Sequence, residues 1–189
     1  MIITIARQCG SGGHEIGKEL ASRLGLELYD RKRLEEEARK IGKFDENKDF
    51  FREKAVNSLL YSIAVSYGEA NPMEKSFELI KELTHGKPAV IIGRCSGAVY
   101  ENDSDATTIF LHADKDCRIK RIIERDQISE KEASKMVKEV DEKRASFHKF
   151  CTGKAWEDAS QYQLSIDTGK VSISDAVELI VNYIHAKSV

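Results

Sequence analysis

Apolar and polar residues follow one another along the chain in the pattern of buried strands and amphipathic helices. The runs IITIAR (2–7) and AVIIGR (89–94) are rich in β-branched residues, which is typical of strands buried on both faces of a sheet. Between 15 and 24, apolar residues recur at helical spacing, and Gly25 is a natural helix stop. Shorter apolar segments predict three more strands at 26–30, 106–113 and 162–167.

Helical patterns separate these strands and close the chain. We expect helices over about 31–42, 114–126, 129–150 and 172–186. Asp114 is a candidate N-cap, and Ser129 and Glu132 have the spacing of a capping box. Strands separated by helices predict an α/β fold with a parallel sheet covered on both faces. In such sheets, ligands bind beyond the carboxyl ends of the strands.

The stretch from Gly42 to Gly86 has a different composition. It begins with the polar, loosely patterned segment GKFDENKDFFREK. An apolar, helix-like segment follows at 55–68, and a further helical pattern starts at Pro72. We interpret the stretch as a helical subdomain inserted into the α/β fold.

Length and charge limit the possible functions. A chain of 189 residues corresponds to one domain, or to one domain with a sizeable insertion. The formal net charge of −2 argues against a general nucleic-acid surface but allows a local basic site. No apolar run approaches the roughly 20 residues of a membrane span, and the first segment lacks the pattern of an export signal. We therefore expect a cytoplasmic protein without nucleic-acid or membrane partners; its oligomeric state is not predicted.

A glycine-rich segment joins the first strand to the first helix. The residues expected to surround a phosphate are Gly10, Ser11, Gly12, Gly13, His14 and Glu15. Small residues leave the backbone N–H groups unhindered, and a helix start adds partial positive charge, which together favour an oxyanion. The strict pattern GxxxxGK[ST] fails, since Gly13 occupies the lysine position, Arg7 that of the first glycine, and Glu15 lies near the usual metal-binding hydroxyl. A phosphate cradle and a structural turn both fit this segment, and His14 either hydrogen-bonds a phosphate or is simply exposed.

Four arginines are candidates for neutralising phosphate charge. Arg7 and Arg94 each leave a predicted strand at its binding end, just before a turn of small residues. Arg121 and Arg125 lie one turn apart on a predicted helix. The alternative interpretation is that the strand-end arginines pair with surface carboxylates and that the helical pair forms a solvated face.

Five segments are informative through their order and spacing: ITIARQCGSGGHEIGKELASRLGLELYDR, IIGRCSGAV, IFLHADKDCRIKRIIERD, DEKR (141–144) and YQLSIDTG. Together they resemble the cytidylate-kinase-like family of P-loop phosphotransferases. The resemblance covers nearly the whole chain. It implies one domain over 1–189 with a three-layer P-loop kinase fold and a five-stranded parallel sheet in the order 2-3-1-4-5. It also implies that the insert at about 42–86 binds the acceptor and that a helical lid spans about 121–156.

The resemblance also implies roles for individual residues. Gly93 and Arg94 match a GR pair that binds the acceptor phosphate and base, and Asp30 matches an acceptor-side residue. Asp141 and Arg144 match the lid motif D-x-x-R, which handles the acceptor sugar and the transferred phosphate.

Other positions depart from the family pattern. Ile92 and Cys95 replace the acidic residues beside the arginine of the GR pair, and Val137 replaces a second lid arginine. The resemblance therefore implies the fold but not a specificity for CMP. Trp156 and Tyr162 are placed either to stack on a base or to pack under the lid.

These features predict a phosphotransferase that uses ATP or another nucleoside triphosphate, with Mg²⁺, to phosphorylate a nucleoside monophosphate or other small acceptor. Phosphoryl transfer needs in-line positioning and dispersed positive charge. The candidate arginines are Arg7, Arg94, Arg121, Arg125 and Arg144, and we expect Arg7 to reach across the loop mouth in place of the missing lysine. The alternative is a nucleotide- or phosphate-binding sensor that retains the cradle without turnover. The missing lysine favours the sensor, and the retained lid motif favours the kinase.

The four cysteines form no CxxC pair, which disfavours a zinc site and makes free thiols the simple interpretation. Cys9 and Cys95 each closely follow a strand-end arginine, on strands that are neighbours in the implied order. We expect these two thiols to line one cleft and to be reactive near so much positive charge. A regulatory disulfide between them is an extension of this hypothesis.

Overall fold

The computed structural model describes residues 1–54 and 72–187. Within these ranges, one sheet is formed by β1 (Ile2–Arg7), β2 (Glu27–Tyr29), β3 (Ala89–Ile92), β4 (Ala106–His112) and β5 (Leu164–Asp167). Every pairing is parallel, and the strand order is β2-β3-β1-β4-β5. The predicted α/β class, the five strands and their order are therefore confirmed.

Helices connect the strands. The described helices are α1 (Gly13–Leu24), α2 (Arg31–Lys40), α3 (Lys48–Phe51), α4 (Pro72–Thr84), α5 (Ser96–Val99), α6 (Lys115–Asp126), α7 (Glu130–Thr152) and α8 (Ile173–Lys187). The short helices α3 and α5 were not predicted from the sequence, and the predicted helix at 55–68 lies outside the described residues. None of the described helices combines the length and the apolar character that crossing a membrane requires.

Local signals start and stop these helices. Gly25 ends α1 in the left-handed region, with a φ of 65°. At the start of α7, the Ser129 hydroxyl accepts from the Glu132 N–H and the Glu132 carboxylate accepts from the Ser129 N–H, which confirms the capping box. Asp114 occupies the N-cap position of α6, but its side chain does not cap the helix. Its carboxylate pairs with Lys170 at 3.3 Å instead.

Both faces of β1 are buried, as its continuous apolar run predicts. Ile3 and Ile5 are fully buried in a cluster with side chains of α1 and α8. Ile2 belongs to the cluster on the opposite face, where α3 contributes the buried rings of Phe50 and Phe51. Each such side chain contributes about 1.5–3 kcal/mol when fully buried. The polar segment before residue 55 is therefore fixed to the sheet by its aromatic residues.

The register of β1 and β3 brings two arginine-bearing strand ends side by side. Ile5 pairs with Ile92, and the Gly93 N–H donates to the Ile5 carbonyl at 2.9 Å. Arg7 and Arg94 therefore emerge from adjacent strands at the carboxyl edge of the sheet, which is the edge where ligands bind in parallel sheets.

Candidate active site

The loop after β1 presents a cradle of backbone N–H groups. Gly10 and Gly12 have left-handed φ values of 80° and 77°, and Gly12 is the N-cap of α1. The amides of Gly10, Gly12, Gly13 and His14 have no hydrogen-bond acceptor among residues 1–54 and 72–187. Because unsatisfied N–H groups at a helix N-terminus favour anions, the loop has the geometry of a phosphate-binding site.

A cavity of about 830 Å³ opens over this cradle. The predicted site residues that line it are Arg7, Gly10, Gly12, Gly13, His14, Glu15, Asp30, Arg121, Arg125 and Arg144. The lining does not include Ser11, Gly93, Arg94 or Asp141. Ser11 is fully buried under the loop, where its hydroxyl donates to the Gln8 carbonyl at 2.9 Å.

The Arg7 side chain fills the space that a lysine at position 13 would need. A Cβ atom at Gly13 would lie 2.6 Å from Arg7 Cγ and 2.9 Å from Arg7 Cβ, so only glycine fits beside this arginine. The side chain then continues to the end of β3, where a Cβ atom at Gly93 would overlap Arg7 Nη1. The arginine at position 7 therefore excludes a lysine at position 13, so the two departures from the usual phosphate-loop pattern depend on each other. Contact of Arg7 with a donor phosphate stays a prediction.

The Arg7 guanidinium lies among other positive charges. Burial, followed by the charges of Arg144 and Arg94, lowers the pKa of Arg7 to about 9 against the opposing effect of Glu53. Arg144 is held against the same strand end, since its Nη1 donates to the Arg7 carbonyl at 3.0 Å. A bound anion relieves the cost of keeping these arginines charged.

Arg121 and Arg125 line the cavity from α6, and both have protein partners. Arg121 donates to the Thr168 hydroxyl at 3.2 Å and to the Thr168 carbonyl at 2.6 Å. The Thr168 hydroxyl in turn donates to the Ser11 carbonyl at 2.9 Å, so Arg121 is linked to the phosphate loop. Arg125 makes two hydrogen bonds of 2.7 Å to its neighbour Asp126. The alternative of a solvated helix face thus fits Arg125 better than Arg121.

The opposite wall carries His14, Glu15 and Asp30. The His14 side chain is 58% exposed, and its Nδ1 lies 3.8 Å from an Asp30 carboxylate oxygen. The other Asp30 oxygen caps α2 by accepting from the Arg33 N–H at 2.9 Å. Asp30 therefore fixes the start of α2 at the cavity, while Glu15 is exposed on the first turn of α1.

Arg118 and Asp141 clamp the phosphate loop to α6 and α7, and the sequence analysis did not find this clamp. One Asp141 oxygen accepts from the Cys9 N–H at 2.7 Å, and the other pairs with Arg118 Nη1 at 2.5 Å. Arg118 also donates to the Cys9 carbonyl at 3.2 Å and to the Ala113 carbonyl at 2.9 Å. These are the contacts of a positioning residue. Contact of Asp141 with an acceptor sugar stays a prediction.

A second, smaller cavity of about 40 Å³ lies at the ends of β1 and β3. Its lining includes Glu53, Gly93 and Arg94. Arg7 and Arg144 line this small cavity as well as the large one. The three predicted acceptor-side residues are therefore divided: Gly93 and Arg94 line the small cavity, whereas Asp30 lines the large one.

Arg94 forms a buried ion pair with Glu53. Arg94 is 3% exposed, and its Nη1 contacts the Glu53 carboxylate without hydrogen-bond geometry. Burial opposes ionisation of Glu53, but Arg94, Arg7 and Arg144 outweigh it and hold the pKa of Glu53 below its usual value. The surface-carboxylate alternative is therefore wrong for Arg94, because its partner Glu53 is only 12% exposed. Glu53 belongs to the polar segment in which the sequence analysis singled out no functional residue.

The cysteines differ from the prediction. Cys9 lines the large cavity and packs against α6 and α7, whereas Cys95 lines the small cavity, 4.0 Å from His148 Nδ1. Burial raises the pKa of Cys9, and a hydrogen bond with Cys151 together with burial raises the pKa of Cys95 well above its usual value. The predicted shared cleft and reactive thiols are therefore wrong, because burial outweighs the nearby arginines. All four cysteines are free, as predicted.

Trp156 and Tyr162 pack against the sheet. Both rings contact Phe110, with ring centroids 5.5 Å and 5.0 Å apart, and the Tyr162 hydroxyl donates to the Trp156 carbonyl at 2.7 Å. These contacts match the packing alternative. Both residues also line the small cavity, so stacking on a base stays a prediction.

The sheet order, the glycine-rich loop at the start of α1 and the arginines around it define a P-loop kinase fold. The model of the cytidylate kinase-like family matches residues 2–170. The chain belongs to this family.

Individual relatives agree with this assignment. A cytidylate kinase from Pyrobaculum aerophilum is 27% identical over 186 residues, which cover 97% of this chain and 92% of that protein. An uncharacterized protein from Eubacterium ventriosum has a solved structure with a TM-score of 0.76, 29% identity and 98% coverage of both chains. Shikimate kinase from Bacteroides thetaiotaomicron, with a TM-score of 0.54, 18% identity and 98% coverage of both chains, shares the fold. The family and its curated relatives support a nucleotide or small-molecule kinase.

Proposed function

We propose that the protein is an ATP-dependent phosphotransferase of the nucleoside-monophosphate-kinase type, acting on a nucleoside monophosphate or another small acceptor. The observation that carries this proposal is that Arg7 and Arg144 line both cavities. A phosphoryl group moving from the loop to the acceptor end passes these two guanidinium groups. A site for binding alone needs no second cavity at this junction.

The donor end is the phosphate loop. The amides of Gly10, Gly12, Gly13 and His14 bind the triphosphate, and the helix start adds partial positive charge. The transition state of phosphoryl transfer spreads charge over the transferred oxygens, so prearranged donors stabilise it without covalent chemistry. Arg7 supplies the charge of the missing lysine, and its planar fork can bind two oxygens at once.

The acceptor end is the small cavity, where Gly93 and Arg94 receive the acceptor. The insert at about 42–86, which contributes Glu53 to the lining of this cavity, binds the acceptor, and the region at about 121–156 acts as the lid. Asp141 and Arg144 lie one turn apart on α7, and both touch the end of β1 or the loop after it. Movement of α7 as a lid would therefore move the loop clamp and the transition-state arginine together.

Mg²⁺ accompanies nucleoside triphosphates in most kinases and, when bound, neutralises charge on their phosphate oxygens. Residues 1–54 and 72–187 contain no group of three or more His, Cys, Asp or Glu side chains that could hold a metal ion. An ion there would be held largely by the nucleotide and water, and the cavity wall offers it the carboxylates of Glu15, Asp30, Glu35 and Glu124. Such coordination is usual for Mg²⁺, which keeps several of its water ligands when it binds to proteins.

A sensor that binds nucleotide without turnover is the second candidate. The observation that favours it is the closed acceptor end, where Glu53 already pairs with Arg94 in a cavity of only about 40 Å³. Such a protein would bind ATP but give no phosphorylated product with any acceptor.

A phosphotransfer screen with ATP and Mg²⁺ over nucleoside monophosphates and small alcohols distinguishes the two functions. The kinase gives ADP in proportion to a phosphorylated acceptor, and Arg144→Gln abolishes this product. The matched control is Arg23→Gln, which removes an exposed arginine that pairs with Glu178 on α8. ATP binding by calorimetry without product from any acceptor would support the sensor and contradict the kinase.

A further inference from the structure

The small cavity at the acceptor end has an unbalanced set of charges. Three guanidinium groups line it, from Arg7, Arg94 and Arg144, against the single carboxylate of Glu53. Three positive charges and one negative charge leave an excess of two positive charges in this lining. A buried excess of this sign favours an added anion, because like charges in a desolvated site repel one another strongly.

The hydrogen bonding of the arginines is also incomplete. Arg94 Nε and Arg144 Nε are buried and have no partner in the described part of the chain. A guanidinium normally binds a carboxylate or phosphate with two parallel N–H groups. The contact of Arg94 Nη1 with Glu53 lacks hydrogen-bond geometry, and Arg94 Nε has no partner among the described residues, so Glu53 offsets the charge without completing the fork.

Glu53 reaches Arg94 from an unfavourable backbone conformation. Its φ is 51°, in the left-handed region that glutamate rarely adopts, two residues after the end of α3. The Arg94 φ of 58° lies in the same region. Glu53 and Arg94 are therefore both strained and are joined by an ion pair. An anion that completes the hydrogen bonds of Arg94 could replace the Glu53 carboxylate in this contact.

We propose that Glu53 is an internal anion that closes the acceptor end and is displaced when the anionic group of the acceptor, a phosphate or a carboxylate, binds Arg94. The proposal deepens the proposed function, on which it rests for the identity of the acceptor end. Glu53 is thereby a specificity-determining residue, since an acceptor without an anionic group cannot replace its carboxylate.

The displacement has a measurable consequence for affinity. A ligand that needs the open state can bind only the molecules in which Glu53 is already released. Its apparent Kd is therefore the intrinsic Kd divided by the fraction of such molecules. If the Arg94–Glu53 pair is formed in about nine molecules of ten, removing it strengthens anion binding about tenfold.

Inorganic phosphate is the probe for this effect, and Trp156 is the reporter. Trp156 is the only tryptophan of the chain and lines the small cavity, whereas the large cavity over the phosphate loop does not include it. Phosphate is titrated against the wild type, Glu53→Gln, Glu53→Asp and Arg94→Gln while Trp156 fluorescence is recorded. Glu178→Gln is the matched control, because it breaks an exposed glutamate–arginine pair on α8.

The proposal expects both Glu53 variants to bind phosphate about tenfold more tightly than the wild type. Aspartate keeps the charge but is one methylene too short to hold Arg94. Arg94→Gln should lose the fluorescence response, and Glu178→Gln should match the wild type. Tighter binding by Glu53→Gln with unchanged binding by Glu53→Asp would show a simple effect of charge and overturn displacement. Unchanged binding in both variants would overturn it as well.

A crystal structure of the wild-type chain with phosphate decides the matter if the variants do not fold. Phosphate on Arg94 with Glu53 released supports the proposal, and phosphate in the cavity beside an intact Arg94–Glu53 pair overturns it.

Neither the phosphate titration nor the crystal structure uses ATP or an acceptor. Tighter phosphate binding without any product in the phosphotransfer screen would therefore reject the kinase and keep the internal anion, while product formation with unchanged phosphate binding would do the reverse.

Discussion

The Arg7 side chain lies across Gly13 so closely that a Cβ atom at position 13 would come within 2.6 Å of Arg7 Cγ. The two positions therefore cannot both carry long side chains. In the usual phosphate-loop pattern, glycine stands at the first of these positions and lysine at the second. This chain has the reverse arrangement, in which a strand-end arginine takes the space above the helix start.

Removing Arg7 should weaken nucleotide binding. Arg7→Ala is expected to reduce the affinity for ATP with Mg²⁺ by about 2–3 kcal/mol, because a charge-assisted and desolvated contact is lost. Arg7→Lys should recover only part of the loss, since an ammonium group cannot bind two oxygens as a fork does. Calorimetric titration measures both, with Arg23→Ala as a control on the outer face of α1. Unchanged affinity of Arg7→Ala would leave Arg121, Arg125 and Arg144 as the sources of charge.

Exchanging the two side chains should restore the usual pattern. Gly13→Lys alone is expected to disturb the loop and abolish ATP binding, because its Cβ overlaps the Arg7 stem. The double variant Arg7→Gly with Gly13→Lys should bind ATP within about tenfold of the wild type, equivalent to about 1.4 kcal/mol. Glycine is needed at position 7, since even an alanine Cβ would stay about 2.9 Å from the new Cβ at 13. Equal loss of binding in the single and double variants would contradict the coupling.

The clamp between Arg118 and Asp141 should act on the donor side. Asp141→Asn is expected to destabilise the fold by about 3 kcal/mol, since it leaves the largely buried Arg118 without its charge partner, and to weaken ATP binding. Urea unfolding and ATP titration measure the two effects, and a double-mutant cycle with Arg118→Met tests whether they are coupled. A variant with normal stability and normal ATP affinity, but a raised KM for the acceptor, would instead favour contact with the acceptor sugar.

Acid should weaken the fold through Glu53. Its pKa lies below the ordinary value of 4.5, because Arg94, Arg7 and Arg144 outweigh the opposing effect of burial. A carboxyl group with a lowered folded pKa stabilises the protein above its unfolded pKa, and this stabilisation is lost as the pH falls through the folded pKa. The free energy of unfolding should therefore fall more steeply below about pH 4.5 in the wild type than in Glu53→Gln. Urea titrations at several pH values test this, and parallel curves for the two proteins would contradict it.

The thiols of Cys9 and Cys95 should react slowly in the folded protein. Their pKa values are raised, by burial for Cys9 and by the hydrogen bond with Cys151 and burial for Cys95. Each unit of increase leaves about a tenth of the reactive thiolate at neutral pH. Alkylation of both thiols with iodoacetamide, followed residue by residue with mass spectrometry, should be slower than in the unfolded chain, and more so for Cys95. Labelling of Cys95 at the unfolded rate would restore the hypothesis of a reactive thiol.

The sheet and the cradle could be predicted because their signals are local. The continuous apolar run of β1, the small residues after it and the helical spacing of α1 all lie within the first 24 residues. The same holds for the capping box of Ser129 and Glu132, three residues apart. The strand order came from the resemblance to a family, and the structure confirms it.

The contacts that shape the site could not be predicted in this way. Arg118 is one of several charged residues in DCRIKRIIERD, and no local pattern distinguishes it from the exposed Arg125 in the same helix. Glu53 stands in a polar segment, and its role depends on the burial of Phe50 and Phe51, which hold that segment on the sheet. The thiol of Cys95 was judged from its neighbours in sequence, whereas its chemistry depends on burial by the rest of the chain.

The hydrogen bonds that shape the phosphate loop span most of the chain. The Cys9 N–H finds its acceptor 132 residues later, in Asp141, and the Ser11 carbonyl receives its donor 157 residues later, from Thr168. During synthesis on the ribosome, the loop therefore leaves the tunnel well before the residues that complete its hydrogen bonds. A nascent chain consequently has no finished nucleotide site to stabilise it, and ATP can act as a folding ligand only after translation of β5.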